Sequence, residues 1–396
     1  MSQPLVPRVL RPRRAAPADA VRPTRADVNL AALRHNLRVV QKRAEGARVW
    51  AVLKADAYGH GAPGVARTLE RARVDGFCVA LLEEAVELRE AGIVAPIMVM
   101  GGHYGNAHDE VVARALIPVV HDIGQVAAFA RLVRSGEVSG PIDAHLKVDT
   151  GMGRLGVTLR ALPELAAALA DYPEVRVRGL MTHLACADAP TTEATSEQMT
   201  RFEEATAILA RAGVRPEQRH AANSAALLRG QARLDAVRPG IALFGVAPRV
   251  EGDPLSTELR PVMRVRTEIV SLRDVDEGAS VGYGATWKAA RCSRIATLPM
   301  GYADGLSRHL GNCGHVLVRG KRAPIVGAVS MDMTMVDVTG IEGASLRDEV
   351  VVLGAQDGVL GRDVIGVDEI ASHAGSIPWE VLTSVSRRVP RFYREP

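Results

Sequence analysis

The stretch Trp50-Ala51-Val52-Leu53-Lys54-Ala55-Asp56-Ala57-Tyr58-Gly59-His60-Gly61 puts an amine where chemistry is possible. An apolar run ends abruptly at Lys54, and Tyr58 follows inside a Gly/His turn. The run reads as a buried strand and the turn as its closure. A lysine at that boundary can reach a ligand above the strand's carboxyl end, and desolvation makes its amine nucleophilic. A strand-end lysine pointing into water is the plainer alternative, so other segments have to decide.

Several segments carry comparable groups. The run Ile142 to Gly156 contains Lys147 and ends in Asp149-Thr150-Gly151-Met152-Gly153-Arg154-Leu155-Gly156. Its GxGxxG spacing matches a dinucleotide fingerprint, but it follows a fifth strand and Pro163 comes early in the next helix. A tight turn presenting Arg154 to a ligand is the better reading. Polar Asp143, His145, Lys147 and Asp149 alternate with apolar neighbours and are expected to face a barrel lumen, where Lys147 needs a partner such as Asp143 or Asp149. His183 stands beside Thr182 at a strand end; a satisfied core histidine is the competing reading. Ser224 opens a short helix, and Arg238-Pro239-Gly240-Ile241 closes another strand. A serine at a helix start and N–H groups beside a glycine suit a phosphate. Further on, Gly282-Tyr283-Gly284 exposes a phenol on a flexible backbone, or forms an ordinary hairpin turn.

These residues need elements to position them. Apolar β-rich runs at 50–56, 74–82, 96–101, 118–122, 142–150, 177–185, 219–223 and 235–238 alternate with helical patterns at 62–72, 83–91, 107–115, 124–135, 160–171, 194–212 and from 224 to 229. Eight such units predict a (β/α)8 barrel, with a doubly wound sheet as the alternative. A barrel demands its functional residues at the strands' carboxyl ends, where Lys54, Arg154, His183, Ser224 and Arg238 fall. From about Leu259 short runs at 262–271, 293–299, 315–318, 324–329, 333–338 and 349–353 predict a second, mostly antiparallel β domain. A helical segment Val367 to Ala374 and an apolar stretch from Trp379 to Val385 end it. The expected division is therefore 1–25 as a disordered basic leader, 26–258 as the barrel and 259–396 as the β domain.

Composition excludes other classes. The 396 residues carry a net charge of +4, but six arginines against Asp19 give the first 25 residues +5. The folded body is then near −1 and has no polyanion-binding field, so no nucleic-acid partner is expected. No apolar run approaches the roughly 18 residues of a membrane span. Four cysteines lie far apart without a CxxC pair, which suits a reducing cytoplasm and argues against a zinc site; no metal is expected.

Together the motifs resemble the alanine racemases that use pyridoxal 5′-phosphate on a fold of type III. The resemblance runs from about Asp27 to Arg391 through LKADAYGHG (53–61), HLKVDTGMGRLG (145–156), THLACAD (182–188), HAANSAA (220–226), VRPGIALFG (237–245), VGYGAT (281–286), GYADG (301–305), SMDMTMVDV (330–338) and RVPR (388–391). It implies a homodimer with shared active sites and D-alanine supply for peptidoglycan. Position by position it implies Lys54 as the lysine that holds the cofactor covalently. It implies Tyr58, Ser224, Gly240 and Ile241 as phosphate-holding residues, and Arg238 facing the pyridine nitrogen with His183 in support. Arg154 would contact the cofactor's phenolic oxygen and orient the substrate carboxylate. Tyr283 would be the second acid/base from the partner subunit, and Tyr302 and Met331 would shape the entrance and substrate pocket. Lys147 matches a position carbamylated in many members. Arg387 stands where some members have a pocket-narrowing tyrosine, which keeps a racemase of serine or other small amino acids open as the alternative.

Overall fold

The computed structural model describes residues 20–102 and 107–395. They divide into two compact units: Asn29–Val262 with the last residues after Tyr393, and the described residues up to Val28 with Met263–Tyr393.

The first unit is a closed parallel barrel. Its strands are β1 (Arg48–Val52), β2 (Gly76–Val79), β3 (Ile97–Val99), β4 (Ile117–Val120), β5 (Ile142–Asp149), β6 (Val175–Met181), β7 (Gln218–His220) and β8 (Ala236–Val237). Each pairs with the next in chain order, and β8 returns to β1 through Ala236 beside Arg48. The doubly wound alternative is thereby excluded. The strands are short and almost wholly buried, as expected where helices cover the outer face. The helices obey the same logic. Asp122 caps Ile123–Arg134 by accepting from Gln125 N–H at 2.9 Å, and that helix buries Val126, Phe129, Ala130 and Leu132. Glu193–Arg211 buries Phe202, Ala205, Ile208 and Leu209 along one face.

The second unit is mostly antiparallel. One sheet joins Lys321–Pro324, His315–Val318, Glu349–Gly358, Met263–Glu268, Arg25–Asn29 and Arg391–Arg394 in that order, with Gly361–Ile365 beside Glu349–Gly358. A three-stranded sheet joins Ser271–Val275, Ser293–Leu298 and Thr334–Asp337. Helices Val367–Ala374 and Pro378–Ser384 close it.

Two expectations need correcting. The strand expected at 324–329 lies at Lys321–Pro324 instead, where the exposed Lys321, Arg322 and Pro324 suit a sheet edge paired with His315–Val318. Of the expected leader, residues 1–19 lie outside the described residues, but its last residues are ordered. Thr24 is fully buried, with its Oγ1 2.8 Å from Thr267 Oγ1 and donating to the Pro299 carbonyl at 2.7 Å. Arg25 opens a strand paired antiparallel to Met263–Glu268. Of the leader's arginines within the described residues, Arg25 lies in this sheet and Arg22 pairs with Asp304. Among the described residues no helix is long and apolar enough to cross a membrane.

Candidate active site

Lys54 leaves the barrel just past the end of β1. The expected strand 50–56 stops at Val52, and the four residues after Lys54 turn left-handed: φ is 51°, 57°, 53° and 52° at Ala55, Asp56, Ala57 and Tyr58. No glycine allows this, so the surroundings must impose it. Glu84 accepts from Ala55 N–H at 2.6 Å while its other oxygen accepts from Ala80 and Leu81 N–H. Asp56 accepts from Ala62 N–H at 2.6 Å. His60 stacks on Phe244 with ring centroids 4.4 Å apart. The turn fixes Lys54 above the barrel mouth. Burial, then Arg154, lowers its pKa, while Glu84 opposes them. Glu84 was not legible as a site residue, because its sequence context is that of an ordinary helix-start carboxylate.

The same turn swings Tyr58 across the barrel. A Cβ on Gly240 would stand 2.2 Å from the Tyr58 hydroxyl, so only glycine fits there. Ser224 Oγ accepts from Gly240 N–H at 2.9 Å and Ala242 N–H at 3.3 Å. Asn223 caps the helix Ser224–Leu228 by accepting from Ala226 N–H at 3.0 Å. Tyr58, Ser224, Gly240 and Ile241 thus come together where β7 and β8 end. Ile241 opens a 3-10 turn, Ile241–Phe244, whose first N–H groups have no acceptor within the turn.

Arg238 lies beside this cradle, almost completely buried. Its Nη1 donates to His220 Nδ1 at 2.5 Å and to the His220 carbonyl at 2.9 Å. Its Nη2 donates to the carbonyls of Thr182 at 2.6 Å and Ala221 at 3.2 Å. All four acceptors are neutral, so burial pushes its pKa down to about 10. His220 Nδ1 accepts, so Nε2 carries the proton and donates to His145 Nδ1 at 2.7 Å. The backbone at Gly179 makes room for this chain, since a Cβ there would stand 2.1 Å from His145 Nδ1. The sequence placed His145 in the lumen but gave no sign of its link to Arg238.

The GxGxxG loop has a different use from the one its spacing suggests. Asp149 Oδ1 accepts from the N–H groups of Gly151 and Met152 at 2.9 Å, and Oδ2 from Gly153 at 2.9 Å. A side chain already fills the backbone nest that a pyrophosphate would need. The loop carries Arg154 outward, where it is exposed. Asp143 does not partner Lys147: it lies at the opposite end of β5 and pairs with Arg176 and Arg178 near the surface. Burial, then Arg154 and Arg238, lowers the Lys147 pKa to about 8, and Asp149 opposes them.

Three histidines, His145 and His220 buried and His183 half-buried, stay neutral in this field. Burial, then Arg238, pushes His145 down to about 4, His183 to about 3 and His220 well below 6.5. A pH dependence of stability follows. The unfolded chain takes up these protons near pH 6.5, and the folded chain does so only at much lower pH. Their stabilising contribution is therefore complete above pH 6.5 and is lost as pH falls toward 4. Urea unfolding should show stability falling by up to ~1.4 kcal/mol per pH unit for each histidine. His145→Gln should flatten the slope; an unchanged slope would remove His145 from the account.

Lys54, Lys147, Arg154, His183 and Arg238 thus share one rim, where each lysine and His183 feels the neighbouring cations. The excess of positive charge suits an anionic ligand bearing a phosphate and a carboxylate.

The expected residues of the second unit sit on anchored turns. Tyr283 is 74% exposed on a turn that starts at Gly282, where φ is 79°. Asn312 secures that turn: its Nδ2 donates to Thr286 Oγ1 at 3.2 Å, and its Oδ1 accepts from Gly327 N–H at 2.7 Å. Tyr302 and Met331 are also partly exposed.

Comparison with known proteins gives a consistent result. Residues 28–248 match the family described as alanine racemase, N-terminal domain, and residues 262–393 match alanine racemase, C-terminal domain. An alanine racemase of Sorangium cellulosum is 60% identical over 383 residues, covering 95% of this chain and all of that protein. Among solved structures, an alanine racemase from Streptomyces lavendulae superposes with a TM-score of 0.88 at 33% identity, covering 95% of this chain and 98% of that one. A biosynthetic alanine racemase from Pseudomonas aeruginosa gives 0.82 at 37% identity, covering 94% and 100%.

Proposed function

The chain belongs to the alanine racemase family, and from that premise we propose that it interconverts L- and D-alanine with pyridoxal 5′-phosphate held at the barrel mouth. The observation that carries the reading is Lys54: a lysine with a lowered pKa at the head of a strained turn, at a barrel end where the buried Arg238 donates only to neutral acceptors among the described residues.

The residues present fit the cofactor. Tyr58, Ser224, Gly240 and Ile241 form a cradle that a single Cβ would fill, which suits a phosphate group. Arg238 presents a fixed positive charge suited to an unprotonated ring nitrogen, because a second cation there would be costly. His220 and His183 flank Arg238 as neutral rings and leave that charge undiminished. When bound, pyridoxal phosphate supplies the electron sink for the charge left at Cα.

The chain's own groups do the rest. Racemisation removes a proton from one face of Cα and returns one to the other, so it needs two bases on opposite sides. Lys54, with its lowered pKa, serves one face. Tyr283 of a second copy serves the other. Arg154 orients the substrate carboxylate and meets the cofactor's phenolic oxygen. Lys147 has enough neutral amine at its lowered pKa to add carbon dioxide, and the resulting carbamate anion would pair with Arg154. Tyr302 and Met331 of the second copy shape the entrance and pocket. The exposure of Tyr283, Tyr302 and Met331 on firm turns supports a homodimer that completes each site. Four free cysteines fit a cytoplasmic enzyme, and the product fits D-alanine supply for peptidoglycan. Arg387, exposed where some members carry a tyrosine, favours a second reading with activity on serine as well.

The test uses purified protein, pyridoxal phosphate and single-enantiomer L-alanine or L-serine in deuterated water. Fast conversion of alanine to the racemate with deuterium at Cα, and slow reaction of serine, is the expected result. Comparable rates on serine would establish the second reading. Absence of exchange on both, with cofactor bound, would overturn the function.

A further inference from the structure

Asp304 lies fully buried inside the turn Gly301 to Gly305, and a distant part of the same unit holds its carboxylate. Arg22 grips it with two parallel hydrogen bonds, Nη1 to Oδ2 at 2.9 Å and Nη2 to Oδ1 at 2.7 Å. Gly301 N–H donates to Oδ2 at 3.1 Å. Arg388 Nε stands 3.4 Å from Oδ1, while its Nη2 donates to Asp332 Oδ1 at 2.7 Å. Arg22 also reaches the Pro299 carbonyl at 3.3 Å.

The backbone ties this turn to its neighbour. Tyr302 N–H donates to the Ser330 carbonyl and Ala303 N–H to the Met331 carbonyl, both at 3.0 Å. The two segments approach so closely that a Cβ on Gly301 would stand 2.3 Å from the Ser330 oxygen and 2.4 Å from that of Met331. Tyr302 and Met331, 43% and 52% exposed, therefore project from one platform. The Arg22–Asp304 fork lies at its base.

We infer that Arg22 is a positioning residue for substrate selection: its fork on Asp304 sets the placement of Tyr302 and Met331, and with them the width of the amino-acid pocket. The inference rests on the reading of Tyr302 and Met331 as pocket-shaping residues. Arginine is required by geometry, because a lysine offers one point charge where the guanidinium makes two parallel bonds. Without the fork, a buried carboxylate loses its main partner and the turn around it must rearrange.

The experiment uses the full-length holoenzyme with Arg22→Gln, Arg22→Lys, Tyr302→Phe and Met331→Ala. It measures kcat and KM for L-alanine and L-serine, the melting temperature and the visible absorbance of bound cofactor. Arg22→Gln is expected to raise KM for alanine about tenfold with kcat nearly unchanged, and to narrow the alanine-to-serine ratio of kcat/KM. Arg22→Lys is expected to recover part of both, and it carries the test if Arg22→Gln does not accumulate as folded protein. A lowered melting temperature with KM and the ratio unchanged in the Arg22 variants would overturn the inference. If Tyr302→Phe or Met331→Ala shifts KM or the ratio while the Arg22 variants do not, the pocket reading stands and the positioning role falls. If neither pocket variant shifts them, the pocket reading fails and takes the inference with it.

Discussion

Lys54→Ala is expected to abolish racemisation, with a loss of at least about 10³-fold, because on the proposed mechanism one substitution removes both the cofactor's covalent anchor and one of the two bases. The purified variant should lack the visible absorbance band of lysine-bound pyridoxal phosphate. Lys54→Arg separates charge from basicity. A guanidinium keeps the positive charge but never gives up its proton, so it too should be inactive. The proposed phosphate cradle at Tyr58, Ser224 and Gly240 does not use the Lys54 side chain, so the alanine variant should still take up the cofactor reversibly. Retention of the visible band by Lys54→Ala would remove Lys54 from the mechanism.

Tyr283→Phe is expected to lower racemisation by about 10²–10⁴-fold while sparing that band. The ring stays, so packing and exposure change little; only the phenol is lost. Exchange at Cα should become one-sided. One enantiomer should still wash its proton into deuterated water through Lys54, and the other should scarcely exchange. Equal loss on both faces would indicate a structural effect, and unchanged rates in both directions would refute the role.

The barrel was legible because its apolar runs recur in a fixed rhythm with helical patterns, and burial on both faces leaves strands such as Gly76–Val79 continuously apolar. The carboxyl-end rule then points from the sequence to Lys54, His183, Ser224 and Arg238. Other features left no local trace. The turn after Lys54 adopts positive φ at alanine, aspartate and tyrosine, none of which signals it. The glycine-rich loop matched a nucleotide pattern, yet its N–H groups are satisfied by Asp149 four residues or fewer away. The role of Asp304 leaves no local sign, because its partner Arg22 is 282 positions distant. Lys321–Pro324 was missed because an edge strand rich in charge resembles a loop.

The left-handed turn has a stereochemical consequence. For an L-residue this backbone hand costs roughly 1–2 kcal/mol, and for the mirror-image residue it is the preferred one. Ala55 and Ala57 are thus held in the geometry that D-alanine would choose unaided. Glycine at either position would relieve that cost, because it adopts this hand without strain. The alanines therefore sit in this hand at the expense of stability, and the neighbouring carboxylates of Asp56 and Glu84 are what hold the chain in its mirror conformation.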